Sequence, residues 1–142
     1  MPLKSLMYLS LTLSLFWIFT ACSTEVIKVG NEDICQDKFK KKTVEIDGVL
    51  VLPSKIVTSG KMIMNFKLEG TATKRLITAS FGLGVGNNRM EKLPSNFTIK
   101  DVKILDKNGK PIKVGEKVRI VGEMYSTASN YCHINVEEIE NI

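Results

Sequence analysis

From Thr43 onward, apolar positions alternate with polar ones, and this period of two predicts strands. The clearest run is Lys61 to Glu69, where Met62, Met64, Phe66 and Leu68 share one face. Lys61, Asn65, Lys67 and Glu69 share the other, with Ile63 the apolar exception. Ser59-Gly60 and Gly70 frame it as turns. Thr43 to Leu52 reads the same way, with Val44, Ile46, Leu50 and Leu52 on one side; its Gly48 predicts a bulge or sharp bend, and Pro53 ends it. Leu76 to Val85 puts Ile77, Ala79, Phe81, Leu83 and Val85 on one face, and the bare positions Gly82, Gly84 and Gly86 fall on the other. Gly86 to Pro94 is a loop by composition. Phe97 to Leu105 and Lys110 to Val114 flank Asp106-Lys107-Asn108-Gly109, a hairpin turn in which Asn-Gly supplies the positive φ angles. Gly115 to Tyr125 (Val118, Ile120 and Met124 inward) and Tyr131 to Ile139 (Cys132, Ile134 and Val136 on one face) complete the set. Five principal strands, one extra hairpin and no long helical period predict an all-β domain over residues 43–142. Its expected core includes Ile46, Met64, Phe66, Phe81 and Ile120.

Met1 to Ala21 has a different pattern. Lys4 opens it, an apolar run from Leu6 to Phe19 follows, and small residues Thr20 and Ala21 close it. That is the layout of a secretory signal. The run is shorter and more interrupted than the roughly 20 apolar residues that a membrane span needs. The tetrad Phe19-Thr20-Ala21-Cys22 resembles a lipobox, the processing signal of bacterial lipoproteins, with Phe19 where that pattern usually has Leu. The resemblance implies a signal peptide over 1–21 and a mature chain beginning at an acylated Cys22. Each acyl methylene buried in a bilayer contributes about 0.8 kcal/mol, so several chains make a durable anchor.

Residues 22–42 then form a tether, with a turn or two of helix expected from Asp33 to Lys42. The basic run Lys38, Lys40, Lys41 and Lys42 lies near the anchor; it either touches anionic headgroups or is a solvated stretch.

Charge narrows the picture slightly. The full chain has a net charge of +5, and loss of Lys4 with the leader leaves +4. A nucleic-acid-binding domain more often carries a strong basic patch. Of three cysteines, lipid would occupy Cys22, leaving Cys35 and Cys132. In an oxidising compartment such a pair is most simply a disulfide.

Several constellations invite chemistry and have plainer readings. Gly82-Leu83-Gly84-Val85-Gly86 has two of the spacings of a dinucleotide fingerprint, but Asn87 stands at the sixth position. Met62 and Met64 are soft donors for monovalent copper, yet they share a face with Phe66 and Leu68 as core residues do. No metal site is expected, because His133 is the only histidine and no further Cys or His lies at ligand spacing. No catalytic set is visible, and no cofactor is expected. Phe66, Phe81 and Phe97 read as core, which leaves Phe39, Tyr125 and Tyr131 as aromatics for a ligand. Arg75, Arg89, Lys100 and Arg119 are cations that could accompany them. The ligand-binding candidates are Arg75, Arg89, Arg119, Tyr125 and Tyr131.

The order of strands, the segment Gly115-Glu116-Lys117-Val118-Arg119-Ile120-Val121-Gly122 and the closing strand from Cys132 resemble exported OB-fold lipoproteins. These are similar to the tRNA-anticodon-like and bacterial periplasmic OB families. The resemblance covers about Thr43 to Ile139. It implies a small OB-type Greek-key barrel with an inserted hairpin. It leaves the ligand open, since OB folds bind many classes of molecule. The function expected is a non-enzymatic, lipid-anchored binding module of the bacterial cell envelope, with a protein or small-ligand partner. The alternative is a nucleic-acid-binding or metal-handling periplasmic protein.

Overall fold

The computed structural model describes residues 23–30, 33–52, 61–68 and 76–142. The leader, Cys22 and Arg75 lie outside these residues, as does the side chain of Met62. Among the described residues nine strands form in chain order: β1 Val26–Lys28, β2 Thr43–Val51, β3 Lys61–Leu68, β4 Leu76–Leu83, β5 Arg89–Met90, β6 Ile104–Leu105, β7 Pro111–Ile112, β8 Lys117–Ala128 and β9 Tyr131–Asn141.

Five of them close a barrel. β2 pairs antiparallel with β3 and with β8, β3 with β4, and β8 with β9, while β4 and β9 run parallel. The circuit β2-β3-β4-β9-β8-β2 leaves no open edge among the five. It is the closed Greek-key order of an OB-type barrel, and the fold is all-β as expected.

The inward faces follow the alternation of the sequence. Ile46, Leu50, Met64, Phe66, Ile77, Phe81 and Ile120 are all buried in one cluster. Gly48 is needed for a reason other than a bulge. The ladder runs through it without a register shift, pairing it with Leu68 and Val118. A Cβ there would overlap the Lys67 carbonyl oxygen and lie 2.7 Å from the Phe66 ring.

Some boundaries differ from the pattern. The segment expected as a tether contributes β1, which pairs parallel to the start of β2, and Ile34 and Phe39, which are buried. The expected helix is a single 3-10 turn, Asp37–Phe39. Asp33 does not cap it; its carboxylate accepts the Cys35 amide hydrogen instead. β4 stops at Leu83, so Val85 is 83 % exposed rather than inward. Gly84 and Gly86, with φ of 137° and 130°, turn the chain back toward β5. β5 lies in the stretch expected as loop and buries Met90 against β6. The β6–β7 hairpin forms at Asp106 to Gly109, with strands of two residues each, but of the Asn-Gly pair only Gly109 takes a positive φ (79°), and the Asp106 carboxylate shapes the turn by accepting from the Asn108 and Lys110 amides; Phe97 is only partly buried.

Cys35 and Cys132 are joined, with Cα atoms 5.7 Å apart. The bond ties the segment just before the 3-10 turn to the start of β9. Thr127 adds a hydrogen bond to the Asp37 carboxylate at 2.8 Å. The N-terminal segment is thereby part of the folded domain.

Candidate functional site

The outward face of β4 and β9 holds the chemistry. Alternation sends Ile77, Ala79 and Phe81 inward, which turns Thr78 and Ser80 outward. On β9, Cys132 and Ile134 face inward and His133 outward. The parallel register sets Thr78 beside His133 and Ser80 beside Asn135. A histidine on an outer face would ordinarily be solvated; His133 is only 4 % exposed.

Two tyrosines cover it. The Tyr131 ring stacks on the imidazole, with centroids 5.3 Å apart and planes at 19°. Tyr125 meets it edge-on at 6.0 Å and 80°. Tyr125 owes its position to an irregularity. Met124 pairs with Ile134 and Ser126 with His133, so Tyr125 is the unpaired extra residue of a bulge in β8. Bulges of this kind re-aim a side chain. Both rings remain open to solvent, Tyr125 at 61 % and Tyr131 at 44 %.

Beneath the rings the polar atoms are bonded. His133 Nδ1 lies 2.7 Å from the Thr78 hydroxyl and 3.2 Å from the Tyr131 hydroxyl, and Nε2 lies 3.0 Å from that of Ser80. Because Ser80 gives its one hydrogen to Asn135, its oxygen accepts from Nε2–H, and Nδ1 of that tautomer accepts from a hydroxyl hydrogen of Thr78 or Tyr131. Ser80 donates to Asn135 Oδ1 at 2.7 Å, and the Lys61 ammonium donates to the same oxygen at 3.3 Å. Burial holds the imidazole below its ordinary pKa of 6.5; the Asn135 contact opposes this and the Lys61 charge reinforces it. The Ser80–His133 spacing is that of a nucleophile and its base. Here Ser80 is 3 % exposed and its hydroxyl is engaged by Asn135, and a threonine rather than a carboxylate stands at Nδ1. These bonds hold the imidazole in place under the two rings.

The result is a shallow cavity of about 330 Å³ lined by Lys61, Ile63, Ser80, Tyr125, Tyr131, His133 and Asn135. Among the described residues, no group of three or more His, Cys, Asp or Glu gathers where it could hold a metal ion. Met64 is fully buried in the core.

Of the ligand residues expected from sequence, the fold brings Tyr125 and Tyr131 together and places the arginines elsewhere. Arg119 forms two hydrogen bonds to the Asp47 carboxylate, at 2.8 and 3.0 Å, and lies 3.4 Å from that of Glu45. This pairing lowers the Asp47 pKa and raises that of Arg119. Arg89 donates to the Leu83 carbonyl and lines a separate groove of about 220 Å³ against β6 and β7. Arg75 lies outside the described residues. The sequence marks His133 only as the single histidine and carries no sign that Thr78, Ser80, Asn135 and Lys61 gather around it. The one usable signal was the spacing Tyr131, His133, Asn135, which sets three polar-tipped side chains on one strand face.

Comparison of the chain with protein-family models, with curated proteins and with solved structures gives no significant match.

Proposed function

We propose that this protein is a non-enzymatic, lipid-anchored OB-fold binding module of the bacterial cell envelope, akin to exported OB-fold lipoproteins, and that it meets its ligand through the Tyr125–Tyr131 face. The observation that carries the reading is the pair of exposed rings braced on a buried imidazole. Tyrosine offers large contact area with few rotatable bonds, and bracing removes most of the remaining ordering cost of binding. The face also lies where OB barrels take ligands, on the second and third barrel strands and the loop joining the fourth to the fifth. Those are β3, β4 and the β8–β9 turn here.

The anchor rests on the apolar leader and on Cys22. The lipid would tie the chain to a membrane, and the four residues from Cys22 to Val26 span at most about 14 Å, which keeps the barrel close to it. A second reading, nucleic-acid binding, draws on the same rings, because bases stack on aromatic side chains. Salt separates the two: phosphate contacts weaken steeply as salt rises.

Two measurements test the proposal in the producing bacterium. Mass spectrometry of the membrane fraction should find acyl chains on Cys22, and Cys22→Ala should abolish both acylation and membrane retention. Hydroxyl-radical footprinting should find Tyr125 and Tyr131 protected in isolated envelopes and oxidised in purified protein. Equal oxidation in the two preparations would remove the case for a ligand on this face.

A further inference from the structure

We propose that the ligand class of the Tyr125–Tyr131 face is a neutral saccharide, with one ring seated on the tyrosines and its oxygens held by Asn135 and Lys61. This rests on the reading of that face as the binding site and adds the chemistry of what fills it.

The charge of the described residues at the site argues against a polyanion. A single nucleic-acid strand follows a groove with several cations. The lining residues supply one, Lys61, whose ammonium already donates to Asn135 Oδ1. Directly across the β8–β9 ladder from Asn135 stands the exposed Glu123, whose carboxylate repels phosphate. A purely apolar ligand fits no better, because it would strip water from the polar groups set around the rings.

The remaining hydrogen-bonding capacity points to oxygen-rich rings. Asn135 uses its Oδ1 on Ser80 and Lys61; its Nδ2 has no partner among the described residues, nor has the Tyr125 hydroxyl. Lys61 keeps two of its three N–H donors. These donors edge a floor of two aromatic rings, whose negative π faces attract weakly positive C–H groups. A pyranose matches both: one face presents C–H groups, and its rim presents hydroxyl or acetamido oxygens that accept. Glu123 can accept from a ring hydroxyl in return. The cavity of about 330 Å³ is at the lower end of the size range of small-ligand sites.

Tyr8 leaves with the leader, so tyrosine ring-¹³C labelling of the lipoprotein from Cys22 onward, in detergent, reads Tyr125 and Tyr131 alone. Tri-N-acetylchitotriose and maltotriose are titrated as saccharide probes and a thymidylate decamer as the nucleic-acid probe. The expected result is a saturable shift of the Tyr125 and Tyr131 signals by a saccharide, little changed between 50 and 500 mM salt, a range over which binding through phosphate contacts weakens steeply. Asn135→Asp keeps an oxygen for Ser80 and Lys61 but exchanges the Nδ2 donor for an acceptor and adds a negative charge, whereas Asn135→Ala removes the donor without adding charge; each should weaken saccharide binding about tenfold, with the fold checked by the amide spectrum. Shifts from the decamer alone would overturn the saccharide class and leave the binding face standing. No shift from any probe would overturn the saccharide class, and ring protection in envelopes would then decide the binding face. Binding that Asn135→Asp leaves unaltered would overturn the assigned contacts.

Discussion

The Tyr131 ring stacks on the His133 imidazole at 5.3 Å, two positions further along the same strand, and so converts an outward-facing histidine into a buried one. Outer faces of small barrels are normally wet. Covering this one commits the protein to keeping a titratable ring neutral beneath two tyrosines.

That commitment makes stability depend on pH. The folded state holds His133 below 6.5, its value when unfolded, so between the two values the unfolded chain binds more protons. The contribution is complete above about pH 6.5 and is lost as pH falls toward the lower, folded value. His133 is the only histidine. Urea unfolding between pH 5 and 7.5 should show stability rising with pH, and His133→Gln should flatten the slope. An unchanged slope would mean that another group carries it.

Phe66 is fully buried at the centre of the barrel and packs beside Gly48. Phe66→Ala should cost about 3–5 kcal/mol in chemical denaturation, from lost transfer energy and the cavity left behind. A loss below about 1 kcal/mol would require the β3 register to be shifted, since a slip of one residue turns the stripe to solvent.

Gly48→Ala should destabilise by about 1–3 kcal/mol, although alanine suits a strand better by propensity. The methyl group would press on the Lys67 carbonyl and the Phe66 ring. A thermal melt equal to wild type would show that β2 and β3 separate freely at this point.

The Cys35–Cys132 bond closes a separation of 97 positions. On the chain-entropy account, a loop of that length is worth about 4–5 kcal/mol. Paired Cys35→Ala and Cys132→Ala substitution should lower the denaturation midpoint and loosen the 3-10 turn, read by faster amide exchange at Phe39 and Lys40. Alkylation of both thiols in unreduced protein would contradict the bond.

Arg119 belongs to an ion-pair cluster with Asp47 and Glu45 and lines a different surface from the tyrosines. Its side chain is 30 % exposed, so solvent screens the pairing. Arg119→Gln should change stability by less than about 1 kcal/mol and leave ligand-induced shifts of the tyrosine signals intact. A loss of those shifts would reassign the binding face.

The sequence by itself determined which residues build the barrel. Period-two alternation is a local property, set by the geometry of a strand, so Met64-Phe66-Leu68 and Ile77-Ala79-Phe81 could be assigned to the core without any knowledge of their partners. The Asn108-Gly109 turn and the cysteine pairing were legible on similarly local or compositional grounds. The tertiary structure alone decided the site. The parallel register of β4 and β9 brings Thr78 and Ser80 to His133 across more than fifty positions, and register is a relation between strands that neither sequence segment contains. The bulge at Tyr125 leaves no mark in composition, because it arises from how β8 and β9 accommodate each other around the barrel. β1 and β5, at three and two residues, are too short for a period to be read, and they form because neighbouring edges offer them hydrogen bonds. Burial of His133 follows from those long-range placements: a residue's exposure depends on what the fold lays over it, and here that is two tyrosines from different strands.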